Sequence, residues 1–205
     1  VSRELTRVQL ETELKFLKAQ INPHFLFNSL NNLYALTLKK SDLAPEVVLR
    51  LSDILRYVLY DTNLGSVDIQ KELSHLRDFI ELERIRLGDR VKISVDLVEP
   101  PIDMNIEPML YLTLLENAFK HGSNGLNDDA WVAISGYPTR DGYSLKIENS
   151  VNNKNKPRSE FGGIGLENLK KRLKLTYGDK FNLKINQTEE VYSALLEIQL
   201  INKLL

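Results

Sequence analysis

The chain has 205 residues, 42% of them hydrophobic and 27% charged, and its 27 Lys and Arg nearly cancel 28 Asp and Glu to leave a net charge of −1. That supplies a core for one large domain or two small ones, and the balanced charge argues against a surface dedicated to duplex nucleic acid. Cysteine is absent, which excludes disulfides and thiol nucleophiles; no apolar run nears the ~18 residues of a membrane span, and no signal-peptide pattern opens the chain.

The first third reads as helix. Leu10, Leu14, Leu17 and Ile21 form a coiled-coil-like seam, and after Pro23 the period resumes through Leu26, Leu30, Leu33 and Thr37. Proline removes one backbone donor and crowds the preceding turn, so the pattern predicts one long helix kinked near Asn22-Pro23. Lys40-Ser41-Asp42, with Pro45 beyond, marks its end, and Val47, Val48, Leu51, Ile54, Leu55, Val58 and Leu59 mark a second amphipathic helix. Such an antiparallel hairpin buries too little alone, so pairing with a second copy into a four-helix bundle is the expected completion.

After Asn63-Leu64-Gly65 the pattern changes. Ile69, Leu73, Leu76 and Ile80 predict a helix over 68–86, and Val91, Ile93, Val95 and Leu97 alternate as in a half-buried strand. Residues 106–121 read as helix, 131–137 and 143–149 as strands around a turn at Thr139-Arg140-Asp141-Gly142, and 150–160 as a mobile polar loop. A helix over 165–177 and strands over 181–187 and 191–201 complete the chain. Helices and strands that do not alternate regularly predict an α+β fold, with helices on one face of a mixed sheet.

Three stretches carry chemistry. In Gln20-Ile21-Asn22-Pro23-His24-Phe25-Leu26-Phe27-Asn28 a histidine directly follows a helix-distorting proline. Neutral imidazole is a competent nucleophile when one nitrogen is exposed and an electrophile is aligned, although a lone histidine is more often an ordinary core or surface residue. In Leu115-Glu116-Asn117-Ala118-Phe119-Lys120-His121-Gly122, helical spacing stacks Glu116 under Lys120 and Asn117 under His121. Asn117 offers a hard oxygen suited to Mg2+, Lys120 and His121 suit phosphate, and Glu116 suits water orientation or proton acceptance; an ordinary polar helix face reads the same way. In Phe161-Gly162-Gly163-Ile164-Gly165-Leu166, glycines before a helix let backbone amides approach an anion, but the spacing is not that of a P-loop.

Together, and in this order, the three stretches resemble the sensor histidine kinases of the autolysin-sensor (LytS-like) family. The stretch around His24 resembles its phosphoacceptor box, 115–122 its nucleotide-binding N box and 162–166 its glycine-rich box. Leu51-Ser52-Asp53-Ile54-Leu55-Arg56-Tyr57 and the tail with Lys171-Arg172-Leu173 are similar as well. The resemblance implies a dimerisation and phosphotransfer hairpin over 1–64 and an ATP-binding α/β sandwich over 65–205, of the kind found in Hsp90, gyrase and MutL.

It further implies that His24 attacks the γ-phosphate of Mg-ATP and that the phosphoryl group passes to an aspartate on a response-regulator receiver domain. Asn28, one turn on, would orient the imidazole, and Glu116 is a distant candidate for its proton acceptor. Asn117 would hold Mg2+, with Lys120, His121 and the backbone at Gly163, Gly165 and Leu166 around the phosphates. Asn149 stands where the family's adenine-reading aspartate is expected: an amide oxygen accepts the same hydrogen bond without charge assistance. Leu112 and Thr113 replace a frequent Gln-Pro, and His24 lacks the acidic neighbour of other kinase classes. These departures keep open an alternative, a dimeric nucleotide-binding scaffold with weak catalysis. The expected setting is the cytoplasmic side of a membrane, as a homodimer below an upstream sensor or membrane domain, with no direct nucleic-acid binding.

Overall fold

The computed structural model describes residues 23–61, 65–100, 104–122, 129–151 and 164–199, and it divides into two compact units, Val1–Leu64 and Gly65–Leu205. In the first unit, α1 (Pro23–Leu38) and α2 (Ala44–Tyr60) pack as a helical hairpin. The seam from Leu10 to Ile21 and the expected kink lie outside the described residues. Proline suits a first helical position, where its missing donor costs nothing, and Pro23 opens the described part of α1. Lys40, at φ 52°, ends α1: Ser41 N–H donates to the carbonyl of Leu36 at 2.9 Å and Lys40 N–H to that of Thr37 at 3.0 Å. Pro45 then sits in the first turn of α2.

The apolar stripe read for α2 is divided. Val47, Leu51, Ile54 and Val58 are buried together with Tyr57, which the spacing had not singled out, while Val48 and Leu59 are exposed. On α1, Phe27, Leu30, Tyr34 and Leu38 recur at helical spacing and all face solvent, Tyr34 at 65% exposure and Leu38 at 67%.

The second unit is a five-stranded mixed sheet with helices. Its elements are β1 (Val67–Asp68), α3 (Ile69–Leu87), β2 (Lys92–Leu97), β3 (Asn105–Ile106), α4 (Leu110–Gly122), β4 (Trp131–Pro138), β5 (Gly142–Ser150), α5 (Ile164–Tyr177), β6 (Phe181–Gln187) and β7 (Val191–Gln199). The sheet order is β2-β4-β5-β7-β6; β2 runs parallel to β4 and the other pairs are antiparallel. A parallel pair needs a crossover, and the chain between β2 and β4 supplies it with α4, which packs on β4 and β5. Asp68 caps α3 by accepting from Gln70 N–H at 2.7 Å, and Gly88 ends the helix at φ 57°.

Strand pleating separates two rows on each strand. One row, Val132 and Ile134 on β4, Tyr143, Leu145, Ile147 and Asn149 on β5, and Tyr192, Ala194, Leu196 and Ile198 on β7, is buried. The fold is therefore α+β, with a mixed sheet as the sequence predicts.

One boundary differs. Ile106 was expected to begin a helix; it pairs instead with Val67 in a two-stranded antiparallel ribbon of β1 and β3, and α4 starts four residues later. Pro108 disfavours helical geometry at Glu107, and Met109 adopts φ 62°, so the turn 107–109 separates ribbon from helix. The polar stretch 152–160 lies outside the described residues.

Two stability predictions follow from burial. A Cβ at Gly142 would lie 1.8 Å from the Ile198 carbonyl oxygen on β7, and backbone there cannot yield. Gly142→Ala should lose about 2–3 kcal/mol in urea unfolding; an unchanged midpoint would contradict the pairing of Gly142 with Gln199. His75, buried on α3, is pushed by desolvation from 6.5 down to about 4. Between those values the unfolded chain binds a proton that the folded chain does not, so stability falls as pH drops from 6.5 toward 4. The loss should be about 3 kcal/mol and measurable as the pH-dependent difference in unfolding free energy between wild type and His75→Leu. Parallel curves for the two proteins would contradict it.

Candidate functional site

The candidate site is built from α4, the end of β5 and the start of α5. Glu116 and Asn117 lie on α4, half-buried, and Lys120 one turn later is exposed. The backbone of His121 belongs to α4, while its side chain lies outside the described residues.

Asn149 ends the buried row of β5. Its register neighbours are Val132 on β4 and Tyr192 on β7, so no charged or amide group flanks it across the sheet. The Asn149 side-chain Nδ2 donates to the carbonyl of Ser150 at 2.9 Å, which fixes the amide with its oxygen pointing away. That Oδ1 is fully buried and has no hydrogen-bond partner among the described residues. A buried, unsatisfied acceptor costs about 1–3 kcal/mol, so its retention calls for a ligand or another explanation.

The first turn of α5 places Gly165 beside α4: a Cβ there would come 4.0 Å from the Thr113 methyl group, an ordinary contact, and meets nothing else among the described residues. Among the described residues, packing therefore does not require glycine at 165. Asn117 lies one turn, about 6 Å, further along α4 than Thr113. Leu166 is buried, which anchors the start of α5 against the protein; Gly163 lies outside the described residues. The structure thus brings the helix bearing Glu116, Asn117 and Lys120 against both β5 and α5.

In the other unit, His24 is the second residue of the described part of α1, with its side chain outside the described residues, and Asn28 is half-buried one turn on.

Sequence reasoning missed one group around this site. Glu107 and Pro108, just before α4, receive hydrogen bonds from Arg172 and Thr176 of α5, and Glu107 N–H donates to the Tyr177 hydroxyl. Burial pushes the Tyr177 phenol up to about 12, so it stays protonated across the physiological range.

The family model described as Histidine kinase matches residues 12–91, a span that includes His24. Among curated proteins, the sensor histidine kinase BtsS of Escherichia coli is 29% identical over 186 residues, which cover 90% of this chain and 33% of that protein. The sensor histidine kinase YpdA of Escherichia coli is 31% identical, with 89% of this chain and 34% of that protein covered. The sensor histidine kinase/phosphatase LytS of Staphylococcus aureus is likewise 31% identical, with 87% and 32% covered. Over most of its length the chain is thus similar to LytS-like sensor histidine kinases. It spans about a third of the length of the curated relatives it matches. Among solved structures, the histidine kinase AdeS of Acinetobacter baumannii covers 95% of this chain and 98% of its own at 15% identity and a TM-score of 0.49, a likeness too low to carry an argument about the site.

The orphaned acceptor gives a direct test. Asn149→Leu fills similar space without a buried polar atom and should unfold at the same urea concentration as wild type or higher, a gain of up to about 2 kcal/mol. A loss beyond about 2 kcal/mol, more than the Nδ2–Ser150 bond contributes, would show that the amide oxygen is satisfied within the folded protein.

Proposed function

We propose that this chain is the kinase core of a two-component sensor, which binds Mg-ATP in the 65–205 unit and phosphorylates His24. The observation that carries the nucleotide part is Asn149 Oδ1, a buried acceptor without a protein partner among the described residues. The exocyclic amino group of adenine is the donor it lacks. With Nδ2 committed to Ser150, the amide offers only an acceptor, which suits adenine and repels the O6 of guanine.

The donor set also fits a magnesium ion. Asn117 supplies one hard oxygen, and Mg2+ characteristically takes few protein ligands while water and phosphate oxygens fill its shell. Bound there, the ion would neutralise phosphate charge. Lys120, exposed at the edge of α4, would meet phosphate oxygens as a point charge, and the backbone at Gly163, Gly165 and Leu166 would approach them where the fold leaves room. His121 would join Lys120, and Glu116 would order water or take the imidazole proton.

A nitrogen of neutral His24 would form a bond to the γ-phosphorus as the bond to the ADP oxygen breaks. Asn28 would hold the ring's orientation. A receiver-domain aspartate on a response regulator would then take the phosphoryl group.

The hairpin supports a homodimer. Among the described residues, Phe27, Leu30, Tyr34 and Leu38 form an exposed apolar face of α1, and Val48 and Leu59 on α2 are exposed as well. A second copy packing on that face would complete a four-helix bundle. We place the protein at the cytoplasmic side of a membrane, below a sensor domain, on the family resemblance.

Incubation with γ-labelled ATP and Mg2+ should give an acid-labile, alkali-stable phosphate on wild type and none on His24→Ala. ATP binding without label would favour the catalytically weak scaffold, and label surviving in His24→Ala would overturn the assignment of the phosphoacceptor.

A further inference from the structure

The short segment Glu107–Met109 is held from two sides. From α5, Arg172 Nε donates to Glu107 Oε1 at 2.9 Å and a second Arg172 nitrogen donates to the Pro108 carbonyl at 2.9 Å. Thr176 Oγ1 donates to Glu107 Oε2 at 2.7 Å, and Glu107 N–H donates to the Tyr177 hydroxyl at 2.8 Å. From α3, Glu72 Oε2 accepts from Met109 N–H at 3.0 Å. The Glu107 carboxylate is thus satisfied on both oxygens and paired with a guanidinium while largely shielded from water, its side chain 18% exposed. Met109 between these anchors adopts φ 62°, a conformation a long side chain takes only where its surroundings enforce it.

The bonds from α5 come from its C-terminal half, Arg172 to Tyr177, whereas Gly165 lies in its first turn. Seven residues separate Arg172 from Gly165, about 10 Å along a helix. A helix behaves as a rigid rod over that length, so a tilt of about 6° at Arg172 displaces Gly165 by about 1 Å. The same bonds fix the entry of α4, the helix that carries Asn117 and Lys120.

We propose that Glu107, gripped by Arg172, Thr176 and Tyr177, is a positioning residue that sets the register of α5 against α4 and thereby the affinity for nucleotide, without touching it. This deepens the nucleotide-binding reading above and rests on it. A misplacement of 1 Å in a charge-binding loop weakens contacts that depend on hydrogen-bond geometry, although no liganding group has been removed.

The test uses the full chain, Mg-ATP and autophosphorylation at varied ATP. Glu107→Gln keeps the shape of the side chain and removes its charge. It should raise KM for ATP about tenfold, with the dissociation constant of a fluorescent ATP analogue rising in parallel, and leave the rate at saturating ATP within about twofold. Arg172→Lys, which keeps charge but cannot bridge both Glu107 and Pro108, should show the same split to a smaller extent. Thr176→Val removes one bond at an exposed position and should raise KM about two- to threefold, so a poorly folding Glu107 variant does not leave the question open. A lowered melting temperature with KM and nucleotide affinity within twofold of wild type would overturn the proposal, since it would make the cluster a plain structural brace. If wild type binds no ATP, the nucleotide reading itself falls and this one with it; if wild type binds and the variants bind equally, only this one falls.

Discussion

Strand pleating along β5 governs the second unit. Because side chains alternate, the register that buries Tyr143, Leu145 and Ile147 carries Asn149 into the same row. An amide in that row must be desolvated, and with Val132 and Tyr192 as its lateral neighbours the sheet supplies no partner for its oxygen. A shift of the register by one residue would turn the whole row outward and lose both the core and the buried acceptor. Hydrophobic burial thus creates the polar feature on which the nucleotide reading rests, at a cost to stability that a donor from a ligand would recover.

Helices complete the arrangement by topology. The parallel pairing of β2 with β4 requires a crossover, and that crossover contains α4, so the helix with Glu116, Asn117 and Lys120 is laid over β5 by the same connection that closes the sheet. The helix α5 then meets α4 where Gly165 lies beside Thr113, and meets the turn just before α4 where Arg172 binds Glu107 and Pro108. Core packing, crossover and clamp act on different residues but converge on one small region. The first unit follows a different logic: its hairpin leaves much of its apolar surface on the outside, which within one chain has nothing to cover it among the described residues.

Long periodic segments were legible in the sequence. Ile69, Leu73, Leu76 and Ile80 announced α3, and the strands from Trp131 onward alternate clearly enough to be placed within a residue or two. The ribbon of β1 and β3 was not legible, because two residues are too few to show a period and Ile106 also continues the helical spacing of Leu110 and Leu114. The candidate residues stand out by type and order: a histidine after proline, an amide and lysine on one helix turn, glycines before a helix. Their environment does not. Nothing in the residues around Asn149 reveals that its oxygen lacks a partner, and Glu107 and Arg172 meet across 65 positions of chain. Such pairings arise from tertiary packing, to which a local pattern is blind.

The reading of Asn149 as the group that recognises the base is tested most directly by equilibrium binding of Mg-ATP and Mg-GTP to wild type, Asn149→Asp and Asn149→Leu. The account predicts that wild type prefers ATP at least about tenfold, that Asn149→Asp keeps the preference because a carboxylate also only accepts, and that Asn149→Leu loses it. Equal affinity of wild type for the two nucleotides, or an undiminished preference in Asn149→Leu, would contradict it.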